Sequence, residues 1–461
     1  MRLPAAFGEL LRQWRIYLIA TLFAAVPDCR AVWVTGYYPG YEQGALPPSA
    51  LDFSVITHVI QFSILPNADG TVSRANGLTA AGSASLVSRA HAAGRSALIC
   101  VGGAGSESAF QAASAAAMRA AFIGNLTNFL ATNDYDGIDL DWEPLPVSDF
   151  NQFTNLVIEL RAALAGFAQP KLLTVAAGAY PNYGDPADSE AAMFAGLQSE
   201  LDQINLMTYD LSGPWPGWVN WFNSPIYDGG YRFPSTGGLV PSVDGAVSRF
   251  LTNGVAPGKI GVGIAFYGYV WSGGIGTSTG GAALPRQSWS TAPTVATLSY
   301  ANLLTTYYQS NLYHWDSAAQ APYLSIDNAG SANDRFISYD DKHTCEAKLS
   351  YVRNHFLGGL MIWELGQDYA ADSLVQELKR DLATPGAIAI HATNQNIALS
   401  FTSLPLALYR ICWTTNAASG PWQTLTNNVP GGPDALTTIQ VWDIGALDVT
   451  PYRFYRLQTP P

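Results

Sequence analysis

The chain has 461 residues, of which 35 are acidic and 23 basic, for a net charge of −12. Hydrophobic residues make up 48%, which excludes disorder as the dominant state, and the missing basic excess argues against a nucleic-acid partner. Aromatic residues reach 12%, with 13 Trp and 23 Tyr; large cores use them, and so do sites that stack on flat sugar faces.

In chain order, residues 1–31 come first. Arg2, Arg12 and Arg15 precede the apolar run Ile16–Val26, which is too short to span a bilayer comfortably; Pro27 and the small Ala31 follow. This layout predicts a signal peptide, and so a secreted protein, extracellular or periplasmic, with no stable membrane insertion after cleavage. Cys29, Cys100, Cys345 and Cys412 are too few for a disulfide framework. Cys100 lies in an apolar run and reads as a small core residue.

Eight short apolar runs follow, at 32–38, 55–63, 96–103, 135–143, 171–178, 203–209, 259–268 and 358–364. Most are rich in Val, Ile and Leu on both alternating faces, as in a parallel sheet covered on both sides. Helical spacing appears between them, as in Leu86, Ala90 and Ala93, or Phe150, Phe153, Leu156, Val157 and Leu160. The stretch 107–131 is Ala-rich and favours helix. This alternation predicts an α/β protein, a (β/α)₈ TIM barrel over 32–384. The long gap at about 270–340 predicts a small α+β insertion between strands seven and eight. Helices at 341–356 and 370–383 follow, and Thr384-Pro385-Gly386 stops the last one. Residues 387–461 alternate short apolar runs with Asn, Gly, Pro and Thr clusters and predict a small all-β module.

The stretch Asp136-Gly-Ile-Asp139-Leu-Asp141-Trp-Glu143 carries the chemistry. With a strand period of two, Asp139, Asp141 and Glu143 share one face, and Ile138, Leu140 and Trp142 share the other. The acidic face would line the barrel interior and end at the C-terminal rim, where such barrels place their active sites. Packed carboxylates push one another's pKa upward, so Glu143, nearest the rim, reads as a general acid. A metal site would normally recruit His, and none of the six His lies near the motif in sequence; no metal or cofactor is expected. Gly276-Thr-Ser278-Thr-Gly280 matches G-x-S-x-G, but with no helix following it makes no convincing nucleophile elbow.

The acidic stretch resembles the D-x-x-D-x-D-x-E signature of family 18 glycoside hydrolases, the chitinase family. The resemblance spans about residues 32–383, through GYYPGY (36–41), VGGAG (101–105), LMTYD (206–210), GVGIAFYG (261–268), FISYDD (336–341) and GGLMIWELGQD (358–368). It implies that Glu143 protonates the glycosidic oxygen, Asp141 holds the sugar's N-acetyl group, Asp139 supports Asp141, and Tyr209 bonds the N-acetyl carbonyl. Asp210 would bind sugar hydroxyls, and Trp363 would floor the cleavage point. Tyr37, Phe62, Gly102, Gly103, Met207 and Tyr267 match positions around the pocket, and Asp136 reads as structural. The acetamido oxygen would attack its own anomeric carbon, giving an oxazolinium ion that water opens with retention, one of the exceptions to the two-carboxylate scheme. The implied partner is chitin or a chito-oligosaccharide and the implied state a monomer. Another N-acetylglucosamine glycan, or a non-catalytic lectin, are the alternatives; lectins of this type typically lose the terminal acid, and Glu143 is present.

Two positions depart from the pattern: Cys100 replaces a usual Ser, and Tyr269 stands where Arg is frequent. Trp215, Trp218, Trp221, Trp271, Trp289 and Trp315 are open between sugar stacking and loop packing. The last segment is similar to small β-rich domains that end many secreted bacterial proteins. Carbohydrate binding there through Trp413, Trp422 or Trp442 competes with a passive role.

Overall fold

The computed structural model describes residues 32–181, 188–328 and 333–383, and in the C-terminal part 389–393, 395–402, 408–415, 421–430, 438–446 and 453–458. The predicted signal segment and the Thr384-Pro385-Gly386 stop lie outside the described residues. The chain divides into two compact units, with the boundary after Thr384.

The first unit is a closed barrel. Its strands begin with β1 (Trp33–Pro39), β2 (His58–Pro66), a short β3 (Val72–Arg74) folded back on β2, and β4 (Ser96–Ala104). They continue with β5 (Gly137–Glu143), β6 (Leu172–Gly178), β7 (Gln203–Met207) and β8 (Ile260–Ala265). An insertion follows, made of β9 (Tyr267–Ser272), β10 (Thr294–Ser299), β11 (Tyr313–Asp316), β12 (Ala321–Ile326) and β13 (Arg335–Tyr339). The eighth barrel strand is β14 (Gly359–Trp363). The order β1-β14-β8-β7-β6-β5-β4-β2 is parallel throughout and closes through β1 and β2. All eight predicted runs therefore overlap the barrel strands, and five contain them whole.

Helices cover the outside: α1 (Ala80–Ala92), α2 (Glu107–Ala113), α3 (Arg119–Asn133), α4 (Phe150–Leu164), α5 (Ser189–Leu197) and α6 (Val243–Thr252). α7 (Tyr300–Tyr307) belongs to the insertion, and α8 (Lys342–Asn354) and α9 (Leu374–Ala383) flank β14. Capping explains several starts. Thr79 accepts the Gly82 N–H before α1, and Ser242 the Gly245 N–H before α6. Asp341 and Thr344 form a reciprocal capping box at α8.

The helix-favouring stretch 107–131 forms two helices, α2 and α3. Ser114 turns its hydroxyl back onto the Phe110 carbonyl at 2.8 Å and accepts from Gln152 at 2.8 Å. A side chain that offers the backbone a competing hydrogen bond ends the first helix. The tertiary gain is Phe110, stacked on Trp142 with centroids 4.7 Å apart.

The insertion is an antiparallel sheet ordered β10-β9-β13-β12-β11. It shares a core with the loop that follows β7, through Trp221, Phe222, Trp271 and Phe336. In the C-terminal unit, β15 (Ala389–Thr393), β16 (Asn396–Thr402), β17 (Leu408–Thr414), β18 (Gln423–Pro430), β19 (Thr438–Asp443) and β20 (Phe454–Gln458) form two three-stranded antiparallel sheets. Leu399, Phe401, Tyr409 and Ile411 lie in their shared core.

Candidate active site

The period-two reading of β5 holds in three dimensions. Ile138, Leu140 and Trp142 are buried against the helices, and Trp142 also meets Phe153 edge-on. Asp139 and Asp141 point inward at 0% and 3% exposure. β4 runs alongside in register, pairing Cys100 with Asp139, Gly102 with Asp141 and Ala104 with Glu143. At Gly102 (φ +109°) a Cβ would lie 2.2 Å from the Asp141 carbonyl oxygen. At Gly103 (φ +113°) it would strike the Phe62 ring at 2.6 Å. Only glycine allows this approach, so both stand behind the site wall rather than on it.

Each acid has its own surroundings. Asp139 accepts from the Tyr37 hydroxyl at 2.8 Å and from Thr174 at 2.6 Å, and burial pushes it up to about 6. Cys100 places its sulfur 4.0 Å from Asp141 Oδ2, while the buried Oδ1 of Asp141 has no partner. Burial raises Asp141 well above the usual carboxylate range, and the charges of Glu143 and Asp139 add to it. Burial also raises Glu143, ahead of an opposing pull from Asp141 and a further push from the Asp210 charge. No lysine or arginine is among the groups acting most strongly on the three acids. The row is thus short of positive charge. Ser106 bridges behind it, its hydroxyl 3.3 Å from both the Asp141 carbonyl and the Glu143 N–H.

Above the row opens a cleft of about 920 Å³. Tyr37, Asp141, Glu143, Met207, Tyr209, Asp210 and Trp363 line it, all residues singled out from sequence. Trp363 packs on Phe62 and Tyr37, at 4.9 and 5.5 Å between centroids. Tyr209 is buried with its hydroxyl 3.6 Å from the Met361 sulfur, and burial raises it far enough to keep it a phenol and a donor. Phe62 and Tyr267 do not line the cleft. Phe62 buttresses Trp363, and Tyr267 donates to Asp210 at 2.6 Å. Tyr269 does the same at 2.5 Å, so the position where Arg was expected supplies a neutral donor.

Asp136 is structural, accepting the Ala97 N–H at 2.8 Å. One sequence reading is corrected here: His91 does meet the motif, its Nε2 2.9 Å from Asp136 Oδ2, because α1 brings it to the start of β5. That is the end of the strand opposite Glu143. Among the described residues no group of His, Cys, Asp or Glu is arranged to hold a metal ion.

The tryptophans divide. Trp215, 48% exposed, and Trp218 line the cleft and touch edge-on at 4.5 Å. Trp221 and Trp271 are fully buried in the insertion core. Trp289 packs on Trp271, and Trp315 stacks on His343 at 3.7 Å. In the C-terminal unit Arg453 covers Trp413 at 3.9 Å and Arg456 covers Trp422 at 4.3 Å, while Trp442 is 45% exposed. Sequence reasoning missed Tyr180 and Pro181 on the cleft wall, though their place just past β6 was the available signal.

The family model for glycosyl hydrolases family 18 matches residues 34–368. The chain belongs to that family. Chitinase A1 of Niallia circulans is 32% identical over 346 residues, 69% of this chain and 46% of its own length. Chitinase B of Serratia marcescens is 28% identical, over 58% of this chain and 62% of its own. The chain thus matches less than two thirds of these curated relatives' length. A family 18 N-acetylglucosaminidase from Paenibacillus barengoltzii is similar in structure, with TM-score 0.62 and 26% identity, covering 76% of this chain and 99% of that one. The Group IV chitinase of Ostrinia furnacalis, at 22% identity and TM-score 0.64 over 76% of this chain and 99% of its own, shares the fold of the family 18 domain.

Proposed function

We propose that the family 18 domain is a chitinase. It hydrolyses β-1,4 bonds between N-acetylglucosamine units by the substrate-assisted, retaining route. The observation that carries this reading is the cation-free row of buried acids ending at Glu143 in the cleft. Burial raises the Glu143 pKa and so favours the protonated form that donates to the leaving oxygen. The unpartnered Asp141 Oδ1 is free to accept the acetamido N–H and hold that group for attack. Tyr209 donates to the acetamido oxygen. Asp139, held by Tyr37 and Thr174, supports Asp141. A positive oxazolinium ion relieves the repulsion within the row, so the site favours the transition state over the neutral sugar. Plain glucans lack the attacking group. Chitin is an insoluble polymer that must be met outside the cell, which agrees with the predicted export signal.

Chitohexaose and purified peptidoglycan, each given to wild type and to Glu143→Gln, test this. Chito-oligomers should come from wild type, with the variant slower by about 10²–10⁴-fold while still binding the oligosaccharide. Equal turnover by the variant would sink the assignment of the acid. Products from peptidoglycan alone would move the substrate to another N-acetylglucosamine polymer.

A further inference from the structure

Asp210 has φ +57°, a left-handed conformation uncommon outside glycine and tolerated best by Asn and Asp, and here tertiary contacts support it. The support comes from Asn223, thirteen residues on and 0% exposed. Asn223 Oδ1 accepts the Asp210 N–H at 3.0 Å, and its carbonyl accepts the Leu211 N–H at 3.0 Å. Its own N–H donates to the Ser338 hydroxyl on β13 at 2.8 Å. The next residue, Ser224, donates to the Thr208 carbonyl at 2.5 Å, and Lys348 donates to Ser224 at 2.5 Å. In front, the Asp210 carboxylate accepts from Tyr267 and Tyr269 on β9. β9 and β13 are neighbours, with Ser338 directly opposite Tyr269. Two adjacent strands of the insertion therefore grip one residue, by its side chain from β9 and by its backbone from β13 through Asn223.

We propose that Asn223 is a positioning residue: pinned to Ser338 of the insertion sheet, it fixes the turn at Asp210 and so sets where that carboxylate meets sugar and acid. This deepens the glycosidase reading and rests on it for the activity arm of its test. The insertion then acts as the frame that holds Asp210. Glu143 offers a local reporter, because the Asp210 charge contributes to its raised pKa. The other titratable groups facing Glu143 are Asp141 on β5, Cys100 on β4, Tyr209 after β7 and, across a smaller adjoining pocket, Glu190 on α5.

The experiment compares Asn223→Ala, Asp210→Asn, the double variant and Ser338→Ala on chitohexaose across pH. Asn223→Ala should lose about 10²-fold in kcat/KM, the scale of a small misplacement. Its alkaline limb should move to lower pH, in the same direction as in Asp210→Asn, because the displaced Asp210 carboxylate acts less on Glu143. In the double variant the Asn223 change should add less than about 2-fold, since both act through one group. Ser338→Ala should move the limb the same way by less. An unmoved limb in Asn223→Ala, or fully additive losses, overturns the proposal. Hydrogen exchange at the Asp210 and Leu211 amides provides an arm independent of turnover. Faster exchange in Asn223→Ala supports the clamp even if chitohexaose proves not to be a substrate, and unchanged exchange overturns it.

Discussion

Two of the places where the first unit buries carboxylates treat them differently. Asp340, after β13, is 1% exposed in its side chain and meets Lys348, which is 0% exposed, at 2.6 Å. Lys348 spends its other donors on Ser224 and the Gly263 carbonyl, and Asp340 also accepts the Ala265 N–H. That site is matched in charge and hydrogen bonds, and it ties together α8, β8, the insertion's exit and the loop after β7. Asp139 and Asp141 on β5 are about as deeply buried, and among the described residues no such cation pairs with them or with Glu143. A paired acid resists change; an unpaired row of acids is held ready for a positive charge that arrives with the reaction. The contrast shows how one barrel uses buried charge both to hold its rim and to run its chemistry.

The largest effect is expected from breaking the matched pair. Lys348→Met strands Asp340 and should cost about 3–5 kcal/mol, read from the denaturant midpoint. Replacing both partners, as Lys348→Met with Asp340→Leu, should recover most of that loss. No recovery would mean that the pair does more than compensate itself.

Next is the row. Asp141→Asn should slow turnover by about 10²–10³-fold, the scale of a lost group that meets developing charge. At neutral pH the same variant should melt no lower than wild type, because it removes a repelled acid. A rate drop accompanied by a large fall in melting temperature would argue that Asp141 is structural.

Asp139 sets the third test. Its native pKa of about 6 lies above its ordinary value of 3.8, so the folded state binds more protons between the two. The stabilisation is fully present below about pH 4 and is lost as pH rises through about 6, on the order of 3 kcal/mol. Melts of wild type across that window should fall relative to Asp139→Asn, whose curve lacks this slope. Parallel curves would remove the raised pKa. The smallest effect is expected at Trp442, exposed on its sheet: Trp442→Ala should change stability by less than about 0.5 kcal/mol. It should leave turnover of soluble oligosaccharides unchanged, and a changed rate would give the C-terminal unit a part in catalysis.

Much of the barrel was readable from alternation alone. A strand has a rigid period, so Asp139, Asp141 and Glu143 had to share a face once 137–143 was a strand. The glycines at 102 and 103 were also visible, though their reason was not: it is the Asp141 carbonyl and the Phe62 ring that forbid a side chain. The helix break at Ser114 was hidden because Ala-rich propensity is local, while the partners that overrode it, Gln152 and Trp142, come from further along the chain. The six loop tryptophans looked alike in sequence; Trp221 and Trp271 went to a core that exists only where the insertion meets the β7 loop.

Local chemistry therefore decided the strands, the acidic face and the family. The tertiary structure alone decided which acids stayed unpaired, which aromatics reached the cleft, and what holds Asp210 in its turn. The physical reason is separation along the chain. Period and propensity act within a few residues, whereas burial and charge matching join groups such as Tyr37 and Asp139, 102 residues apart, or Lys348 and Ser224, 124 apart.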